Sequence, residues 1–306
     1  MPWGRDEIEL AMTLSLVAQA VLSGVTNGVI YALIGMGLAV IFKGSRAINA
    51  AQGEFSLIGA VASVFAMKAA GFSYPAAFAV GALAGAATGV LIDLLLVRPM
   101  IRRRAQEDAF LLLTIGIAFA ISAAVLFFAG RDYFTLPSIG SDGVAILFDA
   151  TIRYHAIWVI VITALIVIAL RAFYRKTNIG LSMMAASIDA DGASTTGINV
   201  DLMRTATYGM GGLLGALAGL LVAPLVPISF YMGLVFTLKG FCAAMIGGLT
   251  NPMGAIVGGL MLGLLESLAI VFIASAYKDV VALTVLIVIM ILVPHGILGR
   301  AGRAGG

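Results

Sequence analysis

Four ionisable side chains interrupt the apolar runs of this 306-residue sequence: Glu54, Asp93, Lys239 and Glu266. An ionisable group inside a bilayer is costly and marks a functional hypothesis. Glu54 and Asp93 fall near helix ends, where water contact is expected. Glu266, in "GLMLGLLESLAIVF", falls mid-helix, and Lys239 lies on the neighbouring hairpin helix nearer its other end. Two uses of this pair stand: a structural ion pair, or a carboxylate that takes a proton or ion. Other chemistry finds no motif. None of the five lysines sits in GxxxxGK[ST], and no HExxH and no GxGxxG after a strand occurs. Cys242 is the only cysteine, and His155 and His295 lie far apart near span ends without ligand spacing. No metal, cofactor or catalytic constellation is expected, and the chain does not read as an enzyme.

A second unusual stretch is "IGLSMMAASIDADGASTTGINV" (179–200), polar and rich in small residues, with Arg171, Arg175 and Lys176 before it and Arg204 after it. Its pattern predicts two short helices. Asp189 is placed to cap the second, and Gly197 to end it. Met183, Met184 and Ile188 supply a modest apolar surface, too small to stand without a partner. A plain solvated connection is the other reading of this stretch.

The elements that must position these residues are membrane helices. Hydrophobic residues make up 61% of the chain and charged residues 11%, far from the balance of a water-soluble domain. The net charge of +3 is too small to suggest a nucleic-acid partner. Spans of about 20 apolar residues are predicted near 11–42, 54–71, 75–97, 109–129, 155–173, 205–226, 234–250, 255–275 and 279–294. The fold class is therefore all-α: a polytopic membrane protein with about nine helices (eight to ten), forming one transmembrane domain over 1–306. The first predicted helix would be roughly 48 Å long at 1.5 Å per residue. It must tilt, protrude or break near Gly24–Gly28. Small-residue pairs recur at Gly24 and Gly28, Gly85 and Gly89, Gly211, Gly215 and Gly219, and Gly254 and Gly258. These are faces for close helix contact.

Twelve of the 18 basic residues fall in four segments: Lys43 and Arg46; Arg98 and Arg102 to Arg104; Arg171, Arg175, Lys176 and Arg204; Arg300 and Arg303. Nine alternating spans put all four on one side, which the positive-inside rule makes cytoplasmic. The N-terminus is then outside, the connection 174–204 cytoplasmic and the segment 130–154 external. "MPWGRDEIEL" carries acidic residues where a secretory signal has a basic flank, so no cleaved leader is expected.

"SGVTNGVIYALIGMGLAVIFKGSRAINAAQGEFSLIGA" (23–60) resembles the amino-terminal signature of branched-chain amino-acid ABC transporter permeases. The matching elements are Gly24, Gly28, Tyr31 to Leu33, Gly37 and Leu38, Ile41 and Phe42, Asn49, and Gln52 to Glu54. The 179–200 stretch is similar to that family's cytoplasmic loop through Gly180, Met183, Ala185, Ala193 and Gly197 to Asn199. "LKGFCAAMIGGLTNPMGAIVGGLMLGLLES" (238–267) resembles its Gly-rich carboxy-terminal stretch, and "RPMIRRR" and "PHGILGR" fit as well. Met184 and Thr195 depart from the family pattern, where Arg and Leu are usual, as does "GGLTNPMG".

The resemblance implies a type II ABC importer-like permease subunit in a bacterial inner membrane, with no cofactor of its own. It would carry branched-chain or related amino acids, with a secondary transporter using Glu266 as the alternative. Implied partners are a second permease of the same family, two cytoplasmic ATP-binding subunits, an extracytoplasmic binding protein and membrane lipid. The implied coupling residues are Gly180, Met183, Met184, Ala185, Ile188, Asp189, Ala193 and Gly197. Those implied along the translocation path are Asn27, Tyr31, Asn49, Gln52 and Glu54, with Lys239 and Glu266 as a structural pair. The external segment 130–154 would be the docking surface for the binding protein, with an ordinary ordered outer loop as its other reading.

Overall fold

The computed structural model describes residues 5–140, 143–147 and 150–299. The basic residues Arg300 and Arg303, and residues 141–142 and 148–149 of the external segment, lie outside them. The described chain is helical apart from one antiparallel hairpin, β1 (Val144–Leu147) and β2 (Ala150–Arg153), inside the 130–154 segment. The long helices are α1 (Arg5–Ser45), α3 (Tyr74–Ile92), α5 (Glu107–Ala129), α6 (Tyr154–Lys176), α9 (Val200–Val222), α11 (Gly254–Phe272) and α12 (Lys278–Leu292). Counting α3 with its extension to Arg102, and α12 from Ser275, seven helices among the described residues are long and apolar enough to cross a membrane. Two shorter helices, α2 (Gln52–Lys68) and α10 (Met232–Gly247), complete the nine expected from the sequence.

α1 is one unbroken helix, so the break considered near Gly24–Gly28 does not occur. It is also the centre of the bundle. Its side chains from Ile30 to Ile41 are nearly all buried, and 78% of its most apolar window is covered, against 11% for α5 and for α12. A helix apolar all round belongs in an interior. Here α11, α9 and α10 surround it.

Lipid supplies no hydrophobic force between helices, so close backbone packing has to hold them together. The predicted glycine faces do this. A Cβ on Gly28 would sit 2.9 Å from the Gly259 carbonyl oxygen of α11. One on Gly85 would press on Gly212 O of α9, and one on Gly219 would overlap Ser56 O of α2.

α3 does not stop at Ile92. It widens into a π turn over Asp93–Val97, where Arg98 N–H reaches Asp93 O, and resumes as α4 (Arg98–Arg102). Pro99 lacks an N–H and removes one regular helix bond here. Asp93 is fully buried at this turn, contrary to the expected water contact. Arg204 Nε donates to it at 2.8 Å and the Thr205 hydroxyl at 2.5 Å, and Arg204 Nη1 also reaches Asp201 at 3.0 Å. Arg204 is therefore committed to this pair rather than free in a loop.

The bundle has two distinct ends. At one, the basic end, Arg46 after α1 donates to Ser187 O at 3.2 Å and Arg98 donates to Thr205 at 3.1 Å. At the other, Gln19 Nε2 donates to Thr151 O of the hairpin at 3.0 Å, and Lys68 lies over the Phe134 ring. His155 is a satisfied interior residue there. Its Nδ1 accepts from Ile139 N–H at 3.0 Å, which leaves the proton on Nε2, 2.9 Å from Leu221 O.

The packing gives a direct contrast between two glycines. Gly219→Ala forces α9 away from α2, and should lower the melting temperature of the purified protein by several degrees or abolish its accumulation. Gly116→Ala meets nothing within 4 Å on α5 and should leave the melting temperature unchanged or slightly raised. Thermal melts of the two variants side by side check this.

Candidate functional site

Between α1 and α2 the chain makes an unusual return. Arg46 adopts φ of +57°, a left-handed conformation rare without glycine. Residues 46–51 then climb back along the bundle instead of crossing its surface. Gln52 Nε2 donates to Gly211 O of α9 at 3.0 Å and fills the space a side chain on Gly37 would need. Gly37 lies about two turns before the end of α1, so α2 begins roughly 12 Å inside the bundle.

Non-helical backbone at that depth is tolerated only where protein or a cavity satisfies it. Three hydroxyl or amide side chains do so. Ala50 N–H donates to Thr114 Oγ1 of α5 at 3.0 Å, and Ala51 N–H to Asn49 Oδ1 at 3.1 Å. Gly53 N–H donates to Thr237 Oγ1 of α10 at 2.9 Å. Only glycine fits at 53, because a Cβ there would overlap Gly233 O.

Glu54 follows in the first turn of α2 and is fully buried, not at a wet helix end as expected. Ser122 Oγ of α5 lies 3.2 Å from each carboxyl oxygen and donates to the group. Gly233 leaves room for the carboxyl; any side chain at 233 would collide with it. Glu54 borders a cavity of about 330 Å³ whose walls are almost wholly apolar, including Ile115, Ala118, Phe119, Leu234 and Leu238.

Asn49, Gln52 and Glu54 are thus brought together, joined by Thr114, Ser122 and Thr237. The sequence reading missed those three, whose only signal is a hydroxyl in an otherwise apolar run. Tyr31 lies elsewhere. Its hydroxyl donates to Glu266 Oε2 at 3.0 Å, and Glu266 Oε1 pairs with Lys239 Nζ. Asp279 of α12, overlooked from sequence, is a second partner of Lys239. Asn27 lines a separate cavity of about 340 Å³ near the hairpin, together with Gln19, Thr26, Thr151 and Arg153.

The 179–200 stretch folds as α7 (Asn178–Ile188) and α8 (Ala190–Thr195) at the basic end. Asp189 Oδ1 accepts from Gly192 N–H at 3.0 Å, and Gly197 takes φ of +86° past the helix end. Gly180 and Ala193 are buried, while Met184 and Ala185 are half-buried. The two expected knobs divide. Met183 is 4% exposed, on a helix that packs against α1, α6 and α9, and borders a small recess with Val40, Gly44, Tyr174 and Thr207, whereas Ile188 is 73% exposed. Ile179, Leu181 and Leu202 add exposed apolar surface nearby.

The sequence matches known proteins over most of its length. The family described as the permease component of branched-chain amino acid transport systems matches residues 20–290. The high-affinity branched-chain amino acid transport system permease protein LivH of Escherichia coli K12 is 32% identical over 295 residues, covering 92% of this chain and 95% of the relative. BraD of Pseudomonas aeruginosa, which carries the same description, is 29% identical with the same coverage. A probable branched-chain amino acid transport permease protein LivH of Methanocaldococcus jannaschii is 27% identical, covering 87% of this chain and 88% of the relative. No solved structure matches the chain. With a helical bundle built for a bilayer and a family match over residues 20–290, the chain belongs to the branched-chain amino acid permease family of multi-pass membrane transport proteins.

Proposed function

We propose that this chain is one of two permeases in an ATP-driven importer of leucine-type amino acids in a bacterial inner membrane. A second permease of the family would lie beside it, two ATP-binding subunits at its basic end and an extracytoplasmic binding protein at its hairpin end. The observation that carries the substrate assignment is the full-length similarity to LivH and BraD, both named as branched-chain amino acid permeases. The broken entry of α2, together with the cavity of about 330 Å³ beside Glu54, supports a path through this part of the bundle.

The α7–α8 pair is the coupling element in this proposal. Exposed Ile188, Ile179 and Leu181 offer apolar surface beyond the end of α6, where a protein partner can cover it. Met183 anchors the pair to α1 and α6 from the inside. Movement of the ATPases would then be handed to α1 through Met183 and through Arg46, which donates to Ser187 O.

Orientation is checked by labelling. A cysteine at Ile146 of the hairpin should react with an impermeant reagent in intact cells, and one at Ile188 only after permeabilisation. Labelling of both from one side contradicts the assignment.

The function itself is tested in proteoliposomes holding all the proposed subunits. Leucine uptake should require ATP and the binding protein; uptake indifferent to both would contradict the proposal. Ile188→Asp should keep the permease pair intact but lose ATPase capture and uptake, because a charge would be buried unpaired at the contact. Met183→Asp should instead destabilise the permease itself. Unchanged ATPase capture by Ile188→Asp would make α7–α8 a plain connection.

A further inference from the structure

The described residues include three fully or nearly fully buried acids: Glu54, Asp93 and Glu266. Two of them have a cation from this chain. Asp93 pairs with Arg204 at 2.8 Å, and Glu266 pairs with Lys239. Glu54 has none within 4 Å among the described residues; its one side-chain donor is the Ser122 hydroxyl. A carboxylate so deep needs a compensating charge or a strong set of donors, and one hydroxyl is a weak substitute for either.

Beside it is a cavity of about 330 Å³, at the small end of ligand-site volumes. Its walls sort by chemistry. Glu54, Ser122 and Thr237 stand just behind one side, while the surface that faces the space is almost wholly apolar, from Ile115, Ala118, Phe119, Leu234 and Leu238 among others. Leu234 and Leu238 are 45% and 51% exposed, so the apolar side opens to the surface of α10. A small solute with an ammonium at one end and an aliphatic body at the other fits both halves. A free inorganic cation fits only the first, and a neutral hydrocarbon only the second.

We propose that Glu54 is the membrane-site receptor for the ammonium group of the transported solute, whose aliphatic side chain lies among Phe119, Leu234 and Leu238. This deepens the importer assignment and rests on it for the solute's identity as an amino acid. It also separates two recognition steps. The binding protein would choose the solute outside, and Glu54 would read its positive end within the membrane. The surrounding architecture suits the task. Thr237 holds the first turn of α2 and Thr114 holds Ala50 just before it, from two other helices, so the Glu54 side chain extends from a fixed backbone.

Thermal stabilisation of the purified complex by two leucine fragments is the test. Isopentylamine keeps the ammonium and the branched body; 4-methylpentanoate keeps the body and the carboxylate. The amine should stabilise the wild-type complex and the acid should not. Glu54→Gln preserves shape and removes the charge, and should raise the amine concentration for half-maximal stabilisation by about tenfold or more. An equal amine effect in wild type and Glu54→Gln overturns the proposal, as does no amine effect in wild type. If Glu54→Gln fails to assemble, Leu234→Trp, which fills the cavity from its open side, should abolish the amine effect, and its persistence overturns the proposal. ATP-driven leucine uptake by wild type is scored separately. Uptake without amine binding would leave the importer assignment standing and remove this one.

Discussion

A buried amide must have a partner, and the segment from Arg46 to Glu54 places several amides where lipid and packed helices exclude water. Everything distinctive about the site follows from meeting that requirement. Asn49 folds its side chain onto Ala51 N–H, α5 contributes Thr114, and α10 contributes Thr237. Two helices are thereby tied to this irregular segment and the first turn of α2. The tie fixes where α2 starts, and the start of α2 fixes the position of the Glu54 carboxyl. Glycines at 37, 53 and 233 are needed around it because Gln52, the Gly233 carbonyl and the Glu54 carboxyl occupy the space their side chains would take.

The same economy of space governs the rest of the bundle. α1 is surrounded because Gly24 and Gly28 meet Gly259 and Gly263 across α11 with almost no separation. Around this tight centre, α5, α6 and α12 present apolar surface outward. α7 and α8 are anchored at the basic end by Met183, while Ile188 remains outside. A rigid centre with one externally reachable lever is a reasonable arrangement for passing a push from partner subunits to the junction of α1 and α2.

Much of this architecture was legible in the sequence because long apolar runs and their breaks are strong signals. The predicted helices match the observed ones to within a few residues at most ends. The glycine faces were legible for the same reason: four-residue spacing puts small residues on one helix face. What escaped was direction and depth. "RAINAAQGE" reads like a turn at the membrane surface, and no local pattern says that it climbs inside. Asp93 looked wet because it lies near a predicted helix end, but it is buried against Arg204, more than a hundred residues away. Met183 and Ile188 looked equivalent, since both are apolar positions on one short helix. Only the packing of α1 and α6 against Met183 separates them.

In the proposed site the solute occupies the space between Glu54 and Leu234. The most direct measurement is the rate at which a small thiol reagent modifies a cysteine at Leu234 in the reconstituted complex, with Cys242 replaced by alanine. Isopentylamine should slow that modification in a saturable manner and should have no effect when Glu54 is glutamine. Modification at one rate with and without the amine, in a complex that still imports leucine, would place the solute elsewhere.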